Sequence, residues 1–222
     1  ALIDAARGRR AIGYLEASRE HQRSLDRAAD ELARLAPELA EPWYYRGRML
    51  RAVGREQEAE AAQDRAIELG RMEAATQGSR EILPMALYER GVLRQVLFLR
   101  WRMGKQIDFL RQMDVAESSG EPVPEETESV YTEGAEIRLS AVQDLEAALA
   151  DGRLALDGEP RRWREARSHA ARGIIGALNG DGDAQSHLRK ALDLDPRMEE
   201  ATILLAKALE DRALSEAAEV YR

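Results

Sequence analysis

The sequence predicts an all-α chain of paired helices, and three observations carry that expectation. Ala, Leu, Glu and Arg dominate the 222 residues, and all four are strong helix formers. No run of Val, Ile and Thr alternates at period two, as a half-buried strand requires. Residues 40–70, AEPWYYRGRMLRAVGREQEAEAAQDRAIELG, read as two amphipathic helices around a glycine turn.

Each end of that hairpin has a physical reason. Pro42 suits an opening turn, because its ring presets the helical φ and the N–H it lacks would have no partner there. The first helix then runs from Pro42 to about Val53. Gly54 can take the left-handed backbone that ends a helix. The second helix runs from about Glu56 to Leu69 and closes on Gly70. Gly47, Ala59, Ala62 and Ala66 fall where the helices touch, since larger side chains there would hold the backbones apart.

Trp43, Gly47, Leu50, Gly54, Ala59 and Ala66 together have the spacing of a tetratricopeptide repeat, which this hairpin resembles. Two positions depart from the pattern. Arg46 stands where the family prefers Leu, and Gln63 stands where the second helix usually has an aromatic. The resemblance implies a right-handed α-solenoid of helix-turn-helix units, each burying one face on its neighbours.

Residues 6–39 read as a degenerate repeat in the same register. Leu32, Leu35 and Pro37 close it, and a step of 34 residues from Pro37 reaches Arg71, just past the clear repeat at 40–70. The register then breaks. Residues 71–83 read as a helical linker interrupted at Gly78 and Ser79. Pro84 to Met103 is the most apolar helix, Gly104 turns the chain, and Lys105 to Ala116 is the partner helix, with Ile107, Leu110 and Met113. Residues 84–116 are thus a divergent repeat.

An acidic loop at 117–128 holds Gly120, two prolines and five glutamates. A long helix follows from Glu125 to about Leu156, so 117–157 is a central insertion outside the repeat pattern. Gly158 and Pro160 break the chain. A repeat returns over 163–198, with helices at Trp163–Leu178 and Ala184–Leu194. Residues 199–222 supply a capping hairpin, Met198 to Leu209 and Ala213 to Tyr221.

The charge balance, 33 basic against 41 acidic residues, gives −8. Bulk nucleic-acid binding usually needs a basic face, so it is not expected. The absence of cysteine removes disulfides, thiol catalysis and cysteine metal sites. No apolar run reaches the ~18 residues that span a bilayer. The turn Asn179-Gly180-Asp181-Gly182-Asp183 resembles a calcium loop in composition. Such a loop needs Gly at its sixth position and Glu at its twelfth, where Ala184 and Lys190 stand. Asp183 is therefore read as a helix cap. His21, His169 and His187 share no metal-ligand spacing along a helix, and no nucleophile elbow or phosphate loop occurs. No enzyme, metal or cofactor is expected.

The resemblance implies a groove lined by the first helix of each repeat, holding a peptide or partner subunit. Its residues here are Tyr44, Arg48 and Arg51, which share a face at spacings of four and three, and Arg90 and Arg94 in the divergent repeat. Tyr offers rigid amphipathic area and Arg grips carboxylates. The expected class is a non-enzymatic protein–protein interaction module or scaffold. A chaperone-tail clamp is not expected, because Tyr44, Tyr45 and Arg48 occupy the region of its middle Asn. Two other classes stay open: a self-associating structural subunit of an envelope or secretion assembly, and a regulatory or sensor domain of a larger protein that binds a small ligand. The cytoplasm is the expected location unless an export signal upstream of Ala1 was removed.

Overall fold

The structure, a computed structural model, describes residues 23–220 apart from 25–26, 29, 32, 78–81, 120–127 and 157. The described residues are predominantly helical, with no strand among them. Most of the expected repeat at 6–39, His21, the interruption at Gly78 and Ser79, and the greater part of the acidic loop lie outside them. The chain divides into two compact units, Ala1–Ala86 and Leu87–Arg222.

In the first unit, α1 (Ala40–Ala52) and α2 (Glu56–Gln77) form the hairpin read from the sequence. Gly54 has φ +79°, and the Arg55 N–H returns to the Leu50 carbonyl at 2.9 Å. Leu50, Ala59, Ala62, Ala66 and Ile67 are buried between the helices. The departure at Gln63 is matched to the small residue opposite. Its side chain occupies the space a Cβ on Gly47 would take, and its Nε2 donates to the Tyr44 carbonyl at 3.2 Å. The departure at Arg46 is matched locally too. Its guanidinium lies 5.3 Å from the Trp43 ring centroid and donates to Asp30 at 2.9 Å.

One boundary differs from the expectation. The second helix does not close on Gly70 but runs on to Gln77. Gly70 is buried within it, and a Cβ there would meet the Leu83 Cβ at 3.3 Å. The added turns carry Glu73, whose Oε1 accepts the Ala40 N–H at 2.8 Å. Leu39, at the N-cap of α1, supplies no side-chain acceptor. A carboxylate from α2 thus satisfies one of the first-turn N–H groups that every helix leaves unpaired, and its charge suits that end of the dipole.

The helix α3 spans Ile82–Ser119 without a break. Gly104 lies inside it without a positive φ. The expected hairpin at 84–116 is therefore a single helix. A lone Gly costs a helix interior only about 1 kcal/mol, and its flanks, Arg100 to Lys105 and onward, are good formers. The long helix after the acidic loop is α4 (Glu128–Asp151), shorter than expected, and Gly152 ends it at φ +70°. Glycines bring α3 and α4 together: a Cβ on Gly91 would stand 2.7 Å from Leu145 and 3.2 Å from the Ala141 carbonyl, and Gly134 lies under the Trp101 indole.

Arg167 holds the segment between α4 and α5 (Arg161–Asn179). It donates to the Leu154 carbonyl at 3.0 Å and pairs with both Glu159 oxygens. The two helices expected within 163–198 are present as α5 and α6 (Ala184–Leu194), either side of Gly180 at φ +78°. The expected capping hairpin is instead one helix, α7 (Glu199–Val220). Glu210, Asp211 and Arg212 stand at the expected break, and none of these residue types stops a helix.

At the α5–α6 contact, a Cβ on Gly173 would stand 2.7 Å from Leu188 and 3.1 Å from its backbone nitrogen. Ala gains about 1 kcal/mol of helix propensity over Gly, but overpacking a filled core costs about 1–3 kcal/mol. Gly173→Ala is expected to lose about 1 kcal/mol net in urea denaturation; a gain would show that the backbone contact yields. Glu73→Ala removes the cap on α1 and is expected to cost about 1 kcal/mol, measured the same way.

Candidate functional site

The turn between α5 and α6 opens a cleft of about 530 Å³ in the second unit. Its wall combines Arg172, Asp181, Asp183 and His187 with Ile175 and Ala184. The left-handed Gly180 builds it, by sending the Asp181 N–H back to the Gly176 carbonyl at 2.8 Å. Asp183 holds the N-cap position of α6, yet its side chain makes no capping bond. Asp183 lines the cleft instead, which corrects the capping role read from the sequence.

Beside the cleft, His169 on α5 and His187 on α6 meet with Nδ1 3.0 Å from Nδ1. Their ring centroids are 5.3 Å apart. That exceeds the nitrogen separation by about two ring radii, so the nitrogens meet head-on. One ring must donate and the other accept, and a single proton lies between them. Metal ligands would instead converge on a point beside the line joining them. No group of three or more metal-ligating side chains occurs among the described residues. The pair escaped the sequence reading, which compared spacings along one helix. A register count across the turn at 179–183 would have found it.

Burial holds the His169 pKa below its ordinary value of 6.5, helped by the positive fields of His187, Lys190 and Arg172 and opposed by Glu165. The unfolded chain therefore takes up this proton at higher pH than the folded one. The stabilisation is complete above pH 6.5 and is lost as pH falls through the lowered folded value.

The expected groove residues fall into different settings. Tyr44 is fully buried, with its ring 5.2 Å from that of Tyr45. Arg48 lies over that ring at 5.7 Å and is exposed, and Arg51 is half-buried. Tyr44 therefore offers no area to a partner, while Arg48 and Arg51 reach past it on the same face of α1 and are exposed and half-buried. Arg90 and Arg94 both close on Asp144 of α4. Arg90 grips it with two bonds, of 2.8 and 2.6 Å, and Arg94 adds one of 2.9 Å. Asp144 is only 5% exposed. These arginines hold α3 and α4 together. The signal was in the sequence: Asp144 sits at inner spacing to Ala141 and Ala148 on the stripe of α4.

The uninterrupted α3 leaves a row uncovered. Met103, Ile107, Leu110 and Met113 are 54%, 46%, 54% and 41% exposed, at spacings that place them along one face of the helix. The last three belong to the partner helix expected after a turn at Gly104. Without that turn they point to solvent.

Comparison with protein-family models, curated proteins and solved structures gave no match.

Asp144→Ala would leave two partly buried guanidinium groups without their carboxylate. Breaking a buried pair costs about 3–5 kcal/mol, and the partial exposure of both arginines, 15% and 21%, puts the expected loss near about 3 kcal/mol, read by denaturation. For the histidine pair, the denaturation midpoint of the intact chain is expected to fall between pH 7.5 and pH 5.5, with a shallower fall in His169→Gln. Parallel profiles would remove His169 from the effect.

Proposed function

We propose that this chain is a non-enzymatic protein–protein interaction module of the helical-repeat kind. The observation that carries the reading is the row Met103, Ile107, Leu110 and Met113, roughly half exposed along one helix face. Burial of apolar surface is worth about 25 cal/mol per Å², and a contiguous exposed patch of this kind marks an interaction surface. No helix among the described residues is long and apolar enough to cross a membrane, so a bilayer span does not account for the row.

The tetratricopeptide resemblance at 40–70 and the two-helix unit of α5 and α6 support a right-handed α-solenoid as the wider arrangement. In that arrangement Arg48 and Arg51 add a surface suited to a partner's carboxylates. A second reading, a regulatory domain that takes a small ligand, has the cleft beside His187 in its favour, where Arg172 and two aspartates would suit a zwitterion.

Cross-linking of the intact protein in lysate of its source, followed by mass spectrometry, tests the first reading. Ile107→Lys/Leu110→Lys is expected to lose most of the partners that the unaltered chain recovers. Arg48→Ala/Arg51→Ala is expected to lose fewer. Equal recovery by all three proteins would sink the proposal.

A further inference from the structure

We infer that the exposed row on α3 pairs with the same row of a second copy of this chain, the two helices running antiparallel. The inference rests on the interaction-module reading and names its partner. Met103, Gln106, Leu110 and Met113 recur at the alternating spacings of three and four of a two-helix seam, and Ile107 widens it. Half-buried Leu99 extends the seam toward the covered part of α3. Gln106 is the polar position within it.

Charge decides the direction. Arg100, Arg102 and Lys105 lie at one end of the row. Asp108 and Asp114 lie toward the other, with Arg111 beside Asp108 at 3.8 Å. Parallel helices in register would set the basic end against its own copy and Asp114 against Asp114, like against like. Turned about a two-fold axis near Asp108, the same helices bring Met103 against Met113 and Arg100 beside Asp114, twice over. Ile107 then lies close to its counterpart on one flank and Phe109 close to its counterpart on the other. A two-fold contact of this kind uses one patch on both copies and closes, so it stops at the dimer.

The seam is short. From Arg100 to Asp114 it runs about 21 Å at 1.5 Å per residue, below the footprint of a standard interface of about 800 Å² per partner. A seam this short makes the association weak, so the dimer forms only at high protein concentration.

Sedimentation equilibrium of the whole chain tests this. The apparent mass is expected to rise from 24.8 kDa toward twice that value with concentration. Ile107→Lys/Leu110→Lys is expected to stay monomeric with its helical circular dichroism unchanged. Arg100→Glu and Asp114→Arg are each expected to weaken the dimer several-fold, and the two together to restore it, since the swap re-forms the pair only between antiparallel helices. Because the sequence has no cysteine, direction can also be read directly. Met103→Cys mixed with Met113→Cys is expected to give the mixed disulfide in preference to either self-linked product. A monomer at every concentration, or a dimer indifferent to the two lysines, overturns the inference. So does preferential self-linking of Met103→Cys. A monomer that still captures other proteins through Ile107 and Leu110 would leave the interaction-module reading standing and remove only the second copy.

Discussion

Two arginines on one helix share a single carboxylate on the next, and the second unit depends on that arrangement. Arg90 and Arg94 close on Asp144, which is almost removed from water. A buried charge of this kind tolerates few alternatives, because any shift of α4 along α3 would strand it unpaired. The register it sets agrees with the steric one. Gly91 receives Leu145 one residue along from the ion pair, and Gly134 receives the Trp101 ring. Electrostatics and close packing thus fix the same alignment. Tyr88, on the same stretch of α3, donates to Glu200 at 2.7 Å and ties α7 to it. The first half of α3 is consumed by these contacts, and its second half is left with an apolar row.

The hairpin at 40–70 was legible because its signals are local. A left-handed Gly54 and small residues at Gly47, Ala59 and Ala66 act through backbone and neighbour, and both can be read from spacing. The same reasoning failed at Gly70 and Gly104, where a glycine looked like punctuation. At Gly70 the tertiary contact with Leu83 and the reach of Glu73 to Ala40 favour a continued helix. At Gly104 nothing opposes helix on either side, so a single weak former is carried through. The α5–α6 hairpin was legible end to end because Gly180 has a real left-handed turn to make.

The site was harder to read than the fold. The five expected groove residues were chosen by type and spacing, and both criteria are blind to what lies across the helix. Tyr44 sits in the core because its face of α1 is the inner one. Arg90 and Arg94 met a carboxylate 50 or more residues away. The histidine pair lay hidden for the same reason, since its two members are neighbours only across a turn. What the sequence did expose was chemistry in aggregate: an acidic, cysteine-free, helix-forming chain.

Glu73 and Ala40 stand 33 residues apart in sequence and share one hydrogen bond. Helix ends usually fray on their own, each terminus opening and closing without reference to the other. Here the last turns of α2 hold the first turn of α1, so opening either end also breaks a bond of the other. The hairpin is thereby closed into a ring of contacts, bounded by a glycine turn at one end and a carboxylate latch at the other.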